Sequence, residues 1–79
     1  MDTTTVLEII KMIDVRISRI KEEAFDTELF MLSHNYLPSE FRELKQLTRE
    51  RVKPLQELGD HLQDYIEARV SAMETSTGM

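Results

Sequence analysis

The sequence predicts an all-α protein: an antiparallel two-helix hairpin, its second helix kinked at Pro54, that dimerises into a four-helix bundle. Three observations point there. Apolar residues recur at alternating steps of three and four along two long stretches, a single turn signal separates those stretches, and blocks of opposite charge are exchanged between them.

The first helix is expected over residues 6–34. Val6, Ile10, Ile13, Ile17, Ile20, Ala24, Thr27 and Met31 follow the spacing of a helical seam. Thr5, with Glu8 three residues later, fits a capping box, in which hydroxyl and carboxylate satisfy backbone donors reciprocally. No Gly or Pro interrupts the chain from there to Leu37, and Asn35 suits the left-handed residue that often follows a helix.

The turn is expected over residues 35–39, where Asn35, Pro38 and Ser39 combine left-handed tolerance, a fixed φ and a capping hydroxyl. Either Ser39 caps the second helix or Pro38 is its first residue. Both choices leave Glu40 and Glu43 in the first turn, where the helix dipole favours acids.

The second helix is expected over residues 40–73, carried by Phe41, Leu44, Leu47, Val52, Leu55, Leu58, Leu62, Tyr65, Ile66, Val70 and Met73. An interior proline removes a hydrogen bond and clashes with the carbonyl four residues back, at ~3 kcal/mol. Lys53 is a poor N-cap, however, and the apolar pattern continues in phase past Pro54. A kinked continuous helix is therefore expected, with a monomeric three-helix bundle, broken at Pro54, as the alternative. Residues 1–74 read as one helical domain and residues 75–79 as a flexible tail.

Composition bounds the rest. The chain has 79 residues, 41% hydrophobic and 32% charged, with no cysteine and two histidines. That is enough apolar material for a core and too little chain for a comfortable solitary one. Disulfides are excluded and a zinc-finger site lacks ligands, which leaves self-association to supply the missing burial. A net charge of −5 repels phosphate backbones and anionic membranes at long range. No basic leader precedes an apolar run and no apolar run is long enough to span a bilayer, so a cytoplasmic protein with no membrane partner is expected.

Lys11, Arg16, Arg19 and Lys21 precede Glu22, Glu23, Asp26 and Glu28 in the first helix. In the second, Arg42, Lys45, Arg49, Arg51 and Lys53 precede Glu57, Asp60, Asp64 and Glu67. Folding back at Leu37 brings Glu28 towards Lys45, Glu22 towards Arg51 and Arg16 towards Glu57. Exposed pairs of this kind contribute only ~0.2–1 kcal/mol each, so they select orientation more than they hold the fold.

A two-helix seam does not consume all the apolar surface. Phe25, Leu29, Phe30, Leu32 and Tyr36 ring the first helix near the turn, and Leu47, Leu58 and Tyr65 widen the stripe of the second. These eight residues are the candidate dimer or partner interface, the occupant being a second copy or another helical protein.

Catalysis is not expected. Gly59 and Gly78 cannot build a phosphate loop, no thiol is present, and no strained turn presents a serine. Glu57, Asp60, His61 and Asp64 share a helical face, but the Glu-to-His spacing of four and the position beside the apolar stripe fit a solvated face, so no metal or cofactor is expected. His34, in the last turn of its helix, reads as a dipole-complementing cap. The function expected is a small non-catalytic interaction module or regulator working through self-association and an exposed apolar helix face. The alternative is a nucleic-acid-associated regulator using a basic ridge of Arg42, Lys45, Arg49 and Lys53, if acids of the first helix do not neutralise it. Fold alone does not choose between them.

Overall fold

A computed structural model describes residues 2–77, which form two helices: α1, Thr3–Ser33, and α2, Pro38–Thr77. No strand occurs among the described residues. The two helices fold back on each other as a hairpin.

α1 starts three residues before the expected boundary. Asp2 is the N-cap, with extended backbone at φ −69° and ψ 141°, and the Val6 N–H donates to its carbonyl at 3.0 Å. Thr5 therefore lies inside the helix, and its expected box with Glu8 is not the cap. Threonine is a modest helix former. The burial of Val6, only 1% exposed, offsets that cost by anchoring the first turn on α2.

α1 ends in a left-handed cap. Asn35 has φ 56°, a conformation that asparagine tolerates better than most side chains. This reversal lets the Tyr36 N–H donate to the Met31 carbonyl at 3.2 Å, the six-to-one bond of a Schellman motif. The apolar contact that accompanies such a motif is present too: the Tyr36 ring meets Phe30 edge-on at 6.3 Å between centroids. The chain reversal at Asn35 aims the Tyr36 ring at Phe30.

Pro38 is the first residue of α2. Leu37 is then the capping position, and its N–H donates to Glu40 Oε2 at 3.1 Å, the return half of a capping box. Glu40 and Phe41 donate their N–H groups back to the Leu37 carbonyl.

The helix passes through Pro54 without a break. Val52 is buried and Leu55 half-buried, so the proline sits between two residues anchored on α1. That anchoring holds the helix across the missing hydrogen bond, and the three-helix alternative is not adopted. α2 also runs past Met73 to Thr77, into the segment expected as a tail, whose last two residues lie outside the described ones.

The core is a single seam. Val6, Ile13, Ile20 and Met31 of α1 and Val52 of α2 are buried, flanked by half-buried Ile10, Ile17, Ala24, Leu44, Leu55, Leu62 and Ile66. Two of its positions were not apolar enough to be read as core: half-buried Thr48 and Gly59 continue the α2 row between Leu44 and Leu62. On α1, Glu28 rather than Thr27 fills the step between Ala24 and Met31. Thr27 is exposed and bonds its hydroxyl to the Glu23 carbonyl at 2.9 Å.

Gly59 stands against Ile13, which fixes the register, and the longer α2 carries Val70 and Met73 past the level of Thr3. The result is a rod of 65 × 18 × 18 Å, one hairpin wide.

Candidate interaction surface

All eight expected interface residues are exposed, from 37% at Tyr65 to 60% at Leu32. They do not form one girdle. Helical spacing puts Phe25, Leu29 and Leu32 on one flank of α1, whereas Phe30 points to the other. Phe30 stacks on His34 with centroids 4.0 Å apart and planes 24° from parallel, and Tyr36 closes the group. The His34 ring is held there by its Nδ1, which lies 2.8 Å from the Phe30 carbonyl it caps.

On α2, Leu47, Leu58 and Tyr65 recur at steps of eleven and seven, which brings them to one flank outside the seam. Arg51 and Pro54 lie between them on the same flank. The Arg69 guanidinium lies 5.9 Å from the centre of the Tyr65 ring. Tyr65 thus offers its ring face to a cation at the rim of the apolar stripe.

Charge is arranged differently from the expected block-against-block match. Blocks of opposite sign do meet near the turn, where Glu28 and Lys45 line one groove with Lys21 and Arg49. None of Glu28–Lys45, Glu22–Arg51 or Arg16–Glu57 closes to an ion pair within 4.0 Å. At mid-height, cations meet cations. Lys21, Arg49 and Lys53 line one groove, floored by Val52 and Thr48, with no acid among the lining residues. On the opposite side Arg16, Arg19 and Arg51 share a depression whose one acid is Glu23. The blocks have the right signs and meet at the expected levels, but helical spacing turns Glu22 and Glu57 away from the seam and leaves Lys21 facing Arg49 and Lys53.

The ridge of Arg42, Lys45, Arg49 and Lys53 is consequently only partly neutralised: of Glu22, Asp26 and Glu28, Glu28 alone reaches its groove. The face around His61 gathers no metal-binding group of three or more His, Asp or Glu side chains among the described residues. No helix there is long and apolar enough to cross a membrane. Compared with known protein families, curated proteins and solved structures, the chain matches none.

Proposed function

We propose that this protein is a non-catalytic interaction module that works by self-association and by presenting apolar helix flanks to a partner helix. The supporting observation is its surface. The chain exposes 6502 Å², where a compact folded monomer of its 9.3 kDa mass exposes about 5,000 Å². The excess, roughly 1,500 Å² per chain, is of the size that stable homodimers bury. Much of it is apolar: Phe25, Leu29, Phe30, Leu32, Leu47 and Leu58 are all about half exposed or more. A second hairpin laid on the flank of Phe25, Leu29 and Leu32 buries that flank in a four-helix bundle and leaves the flank of Phe30, Leu47 and Leu58 for a partner helix.

The test is mass measured across concentration by sedimentation equilibrium, with twice the chain mass expected at micromolar concentration. A chain-mass species throughout defeats self-association. Capture from the native host, with Phe30→Asp as control, then reads the partner. A helical protein retained by the parent and lost on Phe30→Asp supports the docking flank, and identical captures by both count against it.

A second reading has one observation in its favour, the groove of Lys21, Arg49 and Lys53 without an acid. It supports a nucleic-acid-associated regulator. Against it, the same face of α2 continues into Asp60, Asp64 and Glu67, and net charge is −5. Tight binding to mixed-sequence DNA at low salt, falling steeply as salt is added, would favour this reading.

A further inference from the structure

The exposed residues Lys45, Arg49, Lys53, Gln56, Asp60, Asp64 and Glu67 follow one another on α2 at steps of four, four, three, four, four and three. Those steps keep a single row along one flank. Because α2 is unbroken at Pro54, the row lies along one helix rather than on the ends of two separate ones. Its sign inverts about its middle: three cations, a neutral Gln56, three anions.

We propose that a second copy of this chain docks on this row, antiparallel, about a two-fold axis at the level of Gln56 and Glu57. The inference rests on the self-association reading above and names its face and register. Reversing the row about that level sets Lys53 against Asp60 of the second copy, Arg49 against Asp64 and Lys45 against Glu67. The two-fold repeats each pair. A parallel pairing sets like charge on like at every charged position, so the row selects orientation as well as partner.

Two features of the isolated chain are relieved by such a partner. Lys45–Arg49, Arg49–Lys53 and Asp60–Asp64 are like-charge neighbours four residues apart, each of which opposes the helix. α1 does not relieve the basic half, because it adds Lys21 to the groove of Arg49 and Lys53 and supplies only Glu28, beside Lys45. An anionic polymer would satisfy the basic half and be repelled by the acidic half. A second copy satisfies both.

The same axis finds an apolar match on α1. Leu7 and Phe25 are eighteen residues apart, five full turns at ~3.6 residues per turn, and so share a flank. Phe25 lines the groove of Lys45 and Arg49, which puts that flank on the side of the charged row. With Ile13 opposite Gly59, the proposed axis passes near the level of Val15 and Arg16, almost midway between Leu7 and Phe25. The two-fold therefore carries each exposed Phe25 onto the exposed Leu7 of the other copy.

The experiment uses the full chain. Arg49→Glu and Asp64→Arg should each weaken the dimer ~10-fold or more in sedimentation, and the double variant should restore it. Added salt should weaken the parent dimer and leave the variants' residual association less affected. As the chain has no cysteine, Gln56→Cys should give a disulfide-linked dimer on oxidation, while Leu58→Cys, on the other flank, should not. Circular dichroism checks that these exposed substitutions leave the helices formed. A dimer indifferent to both charge reversals and linked through the Leu58→Cys variant overturns this pairing while leaving self-association standing. A monomer at every concentration removes both.

Discussion

Gly59 faces Ile13 across the hairpin so closely that a Cβ added to the glycine would stand 3.6 Å from Ile13 Cγ2, an ordinary van der Waals contact. The site has room for a methyl group and nothing that requires its absence, since Gly59 has no positive φ. Gly59→Ala should therefore stabilise the protein by ~0.5–1 kcal/mol, through helix propensity and a less disordered unfolded chain. In a domain this small that gain corresponds to a rise in Tm of about 2–8 °C. A lower Tm would mean that the helices touch more tightly at this level than 3.6 Å allows.

Pro54 is exposed and leaves the Glu50 carbonyl without its helical donor. Pro54→Ala restores the N–H and removes the ring. Stability should rise, by up to ~3 kcal/mol, with stronger helical circular dichroism. A loss of stability instead would show that the proline bends α2 onto α1.

Burial orders the core. Ile13 and Ile20 are 6% and 5% exposed, whereas Ile17 and Leu55 are half-buried. Ile20→Ala should cost ~2–4 kcal/mol in urea unfolding and Ile17→Ala distinctly less, while Met12→Ala, at 69% exposure, should stay within ~0.5 kcal/mol. Equal losses at Ile20 and Met12 would place the seam elsewhere or bury Met12 in the assembly.

The turn depends on Asn35 and Glu40. Asn35→Gly keeps the left-handed conformation and should be nearly neutral, whereas Asn35→Val should cost ~1–2 kcal/mol, because a branched Cβ clashes there. Glu40→Ala removes the acceptor of the Leu37 N–H and should cost ~0.5–1 kcal/mol. Thermal melts of the three variants rank these effects directly, and a stable Asn35→Val protein would contradict the positive φ.

Much of the hairpin was legible because a half-buried helix must repeat its apolar residues near every 3.6 positions. Val6, Ile13, Ile20, Met31 and Val52 follow from that period alone. Glu28, Thr48 and Gly59 did not, since a seam position can be filled by a long stem, a hydroxyl satisfied by its own backbone, or no side chain at all. Thr48 shows how: its hydroxyl donates to the Leu44 carbonyl at 2.8 Å, so it enters the seam with its polar group already paired. The α1 start was misplaced because Thr5 and Glu8 have the spacing of a capping box, whereas Asp2, also a capping residue type, makes no side-chain cap bond and accepts only through its carbonyl. Charge was legible in sign and in level and not in flank. The Ile13–Gly59 register keeps Glu22 level with Arg51 and Arg16 level with Glu57, but Glu22 and Glu57 turn away from the seam while Lys21 faces Arg49 and Lys53.

The elongation of the rod governs how the protein travels. Its radius of gyration is 18.5 Å, against about 12 Å for a compact domain of this chain length. Friction grows with that extension, so a single chain passes a gel-filtration column at the position of a much heavier globular standard. Elution volume alone would report a dimer before any two chains had met, and the stoichiometry of this protein is read from mass.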